Sequence, residues 1–379
     1  MWRESEYRSA NRAFCACALA KRAKHFHKLP MARSAMGRFF YSFKYRIGEY
    51  GLRLFMILLP HVPRRWVELF TVAMARFSWL LLWKFRTRMQ INLENALGAQ
   101  ITDPAERKAL MRRAWSNFAL GVLDTIAIMH MSKEEIAATI ALEGEEHVKG
   151  ALAKGKGVIA LSAHLGAFTL IGGRIAAGGY PCNIVVKHPN DARLAQLMTA
   201  YRAQLGLRTI SAKPRQEAVR GILKALRRNE VVVVIADEFK SGGVEIKFMG
   251  QTAAAPRGPA SLALRTGAVT LPVFAPRSPD GAVVIQVGQA IEPITDDDIE
   301  VSIAATTRLF TSHIEAAVQR YPDQWNWFGF PRPDRISRSE HWRRYGEAKE
   351  TNAGTAGREP ELSVGSAAIE TLSQKRKEI

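Results

Sequence analysis

From residue 157 to residue 320 the chain alternates short, β-branched apolar runs with longer segments of helical period. The runs "GVIALSA" (157–163), "CNIVVKH" (182–188), "RTISAK" (208–213), "VVVVIAD" (231–237), "VEIKFMG" (244–250), "AVTLPVFAP" (268–276) and "AVVIQVG" (282–288) read as strands. Residues 167–178, 190–206, 215–228, 256–266 and 297–320 read as helices. Strands that alternate with helices in this way build a buried, mostly parallel sheet with helices on its faces, which makes the fold class α/β. Only "RSPDG" (277–281) separates the last two strands, so the sheet is predicted to end in an antiparallel edge.

The first 150 residues read as largely helical. Asp103 stands as an N-cap with Pro104 at the first helical position and Glu106 three residues on from the cap. "SKEE" (132–135) has the pattern of a capping box. "TDDD" (295–298) falls where the 297–320 helix begins, so its carboxylates are read as complementing that helix terminus rather than binding a metal. "GKGV" (155–158) lacks the Gly-Lys-Ser/Thr of a phosphate loop, and no Gly-x-Ser-x-Gly elbow is present.

Charge changes the picture at the N-terminus. The formal net charge is +19, and residues 1–92 carry 18 Lys and Arg against 4 Asp and Glu, leaving +5 for the other 287 residues. This basic part is also the most aromatic, with "GLRLFMILLP" and "WVELFTVAMARFSWLLLWKFRTR". Basic arms that bind nucleic acid lack such long apolar stretches, whereas a basic helix rich in Trp and Phe suits an anionic membrane surface. Pro60, Arg64 and Arg65 divide the two stretches, and Glu68 and Arg76 interrupt the second. The pattern therefore favours residues 66–83 lying in the interface, as a peripheral anchor, over a single crossing helix. Within that helix Glu68, Thr71, Ala75 and Arg76 share a stripe, with Trp66, Leu69, Phe70, Phe77, Leu80 and Leu81 elsewhere. Cys15, Cys17 and Cys182 form no disulfide or zinc framework, so a reducing compartment is expected. The first 30 residues make a poor signal peptide. "CAC" and "HFH" in this extension are not read as a metal site.

In an open α/β sheet ligands gather beyond the carboxyl ends of the strands. There lie His164 after the first strand, Lys187 and His188 after the second, Lys213 and Arg215 after the third, and Asp237, Glu238 and Lys240 after the fourth. A histidine among cations suits activation of a hydroxyl beside an anionic group.

Over roughly residues 45–335 the sequence resembles the lipid A biosynthesis (lauroyl/myristoyl) acyltransferase family, a branch of the lysophospholipid acyltransferase superfamily. The likeness is carried, in order, by "INLENALG" (91–98), "ALEGEEHVKGALAKGKGVIALSAHLGAFTL" (141–170), "VVKHPNDARLAQLMTAYRAQLGLRTI" (185–210), "VVVVIADEFKSGGVEIKFMGQTAAAPRGPASLALRTGAVTLPVF" (231–274) and "YPDQWNWFGFPRPDR" (321–335). Composition reads residues 1–35 as a basic, weakly structured extension and 346–379 as a disordered polar tail; between them the resemblance implies a membrane-associated helical region at 36–100 and an α/β acyltransferase-like domain at 101–345. It implies that His164 deprotonates an acceptor hydroxyl, which attacks an acyl thioester.

The family motif is His, four residues, then Asp or Glu. Here "HLGAFT" has Ala167 where many members hold Asn and Thr169 where the carboxylate belongs. Thr169 can hydrogen-bond an imidazole but cannot offer it negative charge. By this comparison the dyad is broken, and Asp237 or Glu238, from a neighbouring strand end, is one candidate source of the missing charge. Lys187, Asp237 and Lys240, from the strand ends, and Arg202 and Arg257, by the resemblance, are the candidate substrate-binding residues, with Lys187, Arg202 and Lys240 as anion clamps and Arg257 near the donor. Trp325 and Trp327 are read as packing the C-terminal segment on the sheet. The expected activity is transfer of a fatty acyl chain from acyl carrier protein or acyl-CoA to a hydroxyl of a lipid or glycolipid, at the cytoplasmic face of the inner membrane. The expected partners are thus membrane lipids and the acyl donor, with no metal, no bound cofactor and no nucleic acid. The incomplete motif leaves open a lipid-binding or regulatory pseudoenzyme of the same fold.

Overall fold

Valine and isoleucine fill the interior strands because both faces of a parallel sheet are covered. The computed structural model describes residues 62–239 and 242–329, with Arg46, Tyr50, Gly51, Leu54 and Leu58 as isolated positions before them. The expectations for 1–35, for 346–379 and for Lys240 lie outside the described residues. A seven-stranded sheet runs in the order β1-β9-β8-β2-β5-β3-β4. Its strands are β1 (Ala141–Glu143), β2 (Val158–Ser162), β3 (Cys182–Val186), β4 (Leu207–Ser211), β5 (Val231–Ile235), β8 (Val269–Phe274) and β9 (Val284–Val287). All five residues of β2 are buried. Every neighbouring pair is parallel except β8 and β9.

Two strand expectations need correction. The antiparallel pair β8–β9 is present, but β9 is not the edge: β1 lies beyond it, parallel to it. A three-residue strand with two exposed side chains carries no readable alternation. "VEIKFMG" does not join the sheet. It forms β6 (Val244–Phe248), which pairs only with β7 (Gln251–Ala255) in a separate hairpin. Met249 and Gly250 make the turn, both at positive φ (49° and 74°), as a tight two-residue hairpin requires. Glu315 Oε1 accepts the Met249 N–H at 2.6 Å.

The helices are α1 (Arg64–Leu81), α2 (Trp83–Leu97), α3 (Pro104–Ala127), α4 (Lys133–Thr139), α5 (Glu145–Ala153), α6 (Leu170–Ala177), α7 (Ala192–Gln204), α8 (Arg215–Arg227), α9 (Gly258–Thr266) and α10 (Ile299–Arg320). The capping signals act as read. Asp103 accepts the Ala105 N–H at 2.8 Å, Ser132 and Glu135 complete a capping box, and Asp298 of "TDDD" caps α10 through the Glu300 N–H.

Helix α1 turns its small residues inward. Ala75 is buried, and the Trp115 indole on α3 donates to Ala75 O and Ser78 Oγ at 3.1 Å each, an approach that bulkier side chains there would block. The opposite face, with Trp66, Leu69, Phe70, Phe77, Leu80 and Leu81, is exposed; Phe77 is 55 % exposed and Leu80 71 %. A break of 89° at Leu82 separates α1 from α2. Among the described residues no single helix is long and apolar enough to cross a membrane, although the bent pair passes by length and composition together.

The starts of the strands are held by an ion network. Buried Glu230, just before β5, accepts from Arg228 at 2.9 and 3.0 Å, from Asn183 at 2.8 Å and from Arg208. Burial alone would raise its carboxyl, but the hydrogen bonds from Arg228, Asn183 and Arg208 outweigh it and hold the group below the usual range. We predict that Glu230→Gln lowers unfolding stability by about 2 kcal/mol at neutral pH, because half-exposed guanidiniums partly compensate the lost charge. A depressed folded pKa contributes stability above the unfolded value of about 4.3, and that contribution disappears as pH falls through the folded value. Denaturant titrations of the two proteins should therefore differ at pH 7 and converge under acid.

Candidate active site

Parallel register sets the site. β2 and β5 run abreast with Ser162 opposite Ile235, and Ala236 N donates to Ser162 O at 2.8 Å. Two residues farther on, the same alignment places His164 beside Asp237. His164 Nδ1 lies 2.7 Å from Asp237 Oδ1, and the His164 backbone N–H donates to Oδ2 at 2.8 Å. A third donor, the Trp325 indole N–H, reaches Oδ2 at 2.8 Å. The Asp237 side chain is 2 % exposed and that of His164 is 28 %. An ionised carboxylate only accepts, so Nδ1 carries the ring proton in this pair and Nε2 is left as the basic atom.

The turn that carries His164 is held from two sides. Leu165 N donates back to Ala163 O at 2.8 Å, and Gly166 follows at φ +58°. A Cβ on Gly166 would meet Ala275 O at 2.2 Å, so both the conformation and the space require glycine. On one side Ala167 N donates to Ala275 O at 2.9 Å, beyond β8. On the other, Gly166 N donates to Gln324 O at 2.8 Å and Asn326 N to His164 O at 3.0 Å. Phe168 packs edge-on against the imidazole, with centroids 4.9 Å apart.

Thr169, at the motif's carboxylate position, faces elsewhere. Its hydroxyl lies 2.8 Å from that of Thr125 on α3, and Thr125 gives its single proton to Gly121 O at 2.7 Å. Thr169 is therefore the donor of the pair, its proton committed to α3. Of the two acidic candidates, Asp237 takes the imidazole, while Glu238 is an exposed side chain.

The other candidates spread out. Lys187 is exposed at the end of β3, beyond β5 from His164. His188 follows it with Nδ1 enclosed. Arg202, in the last turn of α7, is half-buried with Nη1 enclosed and no hydrogen-bond partner, and burial lowers its pKa. Lys213 and Arg215 are exposed. Arg257, at the entrance of α9, pairs its guanidinium with Glu300 in the first turn of α10. Cys182 is buried on β3, and burial, aided by the Glu230 charge, pushes its thiol up to about 12, which removes it as a nucleophile at neutral pH. Among the described residues no His, Cys, Asp and Glu side chains group so as to hold a metal ion.

Cations cluster where the sequence reading had not placed them. A cavity of about 1180 Å³ opens between α1, α3, the β8–β9 connection and residues 321–324, with Arg76, Arg112, Arg113 and Arg277 around a floor that includes Trp79 and Trp115. Arg277 pairs with Asp124 and donates to Gly281 O at 2.7 Å. The Gln324 amide brackets the Arg277 backbone, accepting from its N–H and donating to its O at 2.7 Å each. Asp323 pairs with Arg113 at 3.4 Å. "PDQWNW" (322–327) is thus a clamp in which Trp327 is fully buried, as expected, and Trp325 both packs and donates to the site. Its crowding of Asp, Gln and Trp was the available signal, but its side-chain partners outside the segment lie 47 to 235 positions away.

The profile of the bacterial lipid A biosynthesis acyltransferase family matches residues 43–329. The chain is 22 % identical over 241 residues to the phosphatidylinositol mannoside acyltransferase of Mycolicibacterium smegmatis, covering 63 % of this chain and 77 % of that protein. It is 25 % identical over 228 residues to the lipid A biosynthesis lauroyltransferase of Escherichia coli, covering 59 % and 71 %. With the lipid A biosynthesis acyltransferase of Haemophilus influenzae it shares 24 % identity over 277 residues, or 72 % and 83 %. The profile takes in α1, the His164 turn, the Asp237 strand end and the Trp325 clamp together, and the chain belongs to the bacterial lipid A biosynthesis acyltransferase family.

Proposed function

We propose that this acyltransferase moves a fatty acyl chain from the thioester of acyl carrier protein or coenzyme A to a hydroxyl of a lipid or glycolipid acceptor, with His164 as general base. The observation that carries the reading is the 2.7 Å contact between His164 Nδ1 and Asp237 Oδ1. It supplies from β5 the carboxylate that position 169 lacks.

The chemistry follows from that tautomer. Nε2 of His164 takes the acceptor's hydroxyl proton as its oxygen attacks the thioester carbonyl carbon. The resulting imidazolium is stabilised through Nδ1–H by Asp237, which acts as a positioning carboxylate and keeps no proton. Collapse of the tetrahedral intermediate breaks the C–S bond, and the imidazolium returns its proton to the departing sulfur. No enzyme-bound acyl group is needed, in keeping with the inert Cys182. Lys187, Arg202 and Lys240 keep their proposed part as anion clamps for donor or acceptor phosphate, and the arginine-rimmed cavity adds a second cationic region. The outward apolar face of α1 supports docking on a membrane surface, and the cytoplasmic face of the inner membrane is the proposed location.

Purified protein should transfer acyl groups to a lipid acceptor, and His164→Ala should abolish transfer. Absence of transfer by the wild type with both donor classes and lipid A-type and glycolipid acceptors would favour the pseudoenzyme. Asp237→Asn should lower kcat by on the order of 10³-fold, because an amide can turn an N–H towards Nδ1 and force the proton onto Nε2. Thr169→Ala should stay within about threefold, since its lost bond is a surface pair with Thr125. A larger loss for Thr169→Ala than for Asp237→Asn contradicts this division of roles. For docking, Phe70→Glu combined with Phe77→Glu should weaken binding to anionic vesicles at least about tenfold with the melting temperature retained, because both rings are solvent-facing. Unchanged binding would move the dock elsewhere.

A further inference from the structure

We propose that Trp325 is a positioning residue of the acyl-transfer site: its indole N–H anchors the Asp237 carboxylate that serves His164, so that activity depends on the seating of residues 321–329. This rests on the reading of His164 as the general base.

The argument begins with which donors hold the carboxylate. Two of the three come from His164 itself, its ring Nδ1 and its backbone N–H. Those two bonds join the pair to each other and leave it able to shift as a unit. The bond from Trp325 to Oδ2 ties the carboxylate to a different part of the chain. The same segment grips the histidine turn through Asn326 N to His164 O and Gly166 N to Gln324 O. Both members of the pair are thus referenced to one strip of backbone, and that strip is itself fixed. Trp325 packs against Phe248 and Trp327, with centroids 5.5 and 4.9 Å away, and the Asn92 side chain on α2 donates to Trp327 O at 2.6 Å.

The indole is also more than a filler. Trp325 is 2 % exposed, and a buried indole N–H needs an acceptor; here that acceptor is the functional carboxylate. A donor on Oδ2 draws negative charge away from Oδ1, so it restrains how strongly Asp237 favours the imidazolium over the neutral base. Removing it should make His164 more readily protonated and less well oriented.

Trp325→Phe keeps an aromatic ring and deletes the N–H. The expected result is a fall in kcat of about tenfold with KM within twofold, and an acidic limb of the kcat profile raised by roughly half to one pH unit. The His164 imidazole titration followed by NMR should move the same way, a readout that needs no turnover. Trp327→Phe, which loses the 2.7 Å bond to Pro322 O, serves as the packing control and should lower stability without moving either midpoint. Trp325→Phe with kcat within twofold and an unmoved titration overturns the proposal. So does a loss of kcat with an unmoved limb, because packing alone would give that. Should Trp325→Phe not fold, the wild-type Trp325 indole resonance decides: it should titrate with the His164 midpoint, and a flat response is a refutation. If His164→Ala retains transfer, the base assignment fails while the two NMR readouts still test the Trp325–Asp237–His164 linkage.

Discussion

One parallel pairing governs the chemistry of this protein. Because β2 and β5 run side by side with Ser162 opposite Ile235, the residues two steps beyond their ends, His164 and Asp237, emerge together at one edge of a rigid sheet. A hydrogen bond of 2.7 Å between them needs no flexible loop to find it. Slipping that register by a single residue would turn one of the two side chains to the other face of the sheet. The eight buried residues of β2 and β5 that resist such a slip are therefore part of the site's construction.

The two ends of the sheet divide the work. At the strand starts, Glu230 gathers Arg208, Arg228 and Asn183 into a network whose role is to hold β3, β4 and β5 together. At the strand ends, the buried carboxylate is given to an imidazole that is partly open to solvent. The C-terminal clamp then closes over that end, with Asp323 on Arg113, Gln324 around the Arg277 backbone and Trp325 on Asp237. Helix α1 completes the arrangement by packing Ala75, Ser78 and Trp79 on Trp115 and leaving Trp66, Leu69, Phe70, Phe77, Leu80 and Leu81 outside.

The parts legible in the sequence are those where local physics is decisive. Fully buried strands show as β-branched runs, and caps at Asp103, Ser132 and Asp298 show as short polar signals. The strand-end pattern singled out His164 and the resemblance gave it a role, while the choice between Asp237 and Glu238 as a source of charge stayed open. What stayed hidden depends on contacts distant in sequence. Edge strand β1 is too short to alternate, and β6 has a strand's pattern whether it pairs with the sheet or with β7. Arg257 looks like any loop cation until Glu300 is folded against it. Trp325 reads as a core residue, and only the fold brings its N–H to a carboxylate 88 positions away. The arginines of the large cavity come from α1, α3 and the β8–β9 connection, three places that no local pattern links.

The central claim is that Asp237, rather than residue 169, sets the state of His164. Its most direct test is the ¹⁵N chemical-shift pair of the His164 ring in the neutral wild-type protein. The account predicts the proton on Nδ1, with Nε2 showing the shift of an unprotonated, pyridine-like nitrogen, and loss of this state in Asp237→Asn. A neutral ring protonated on Nε2, or one unaffected by Asp237→Asn, would contradict it.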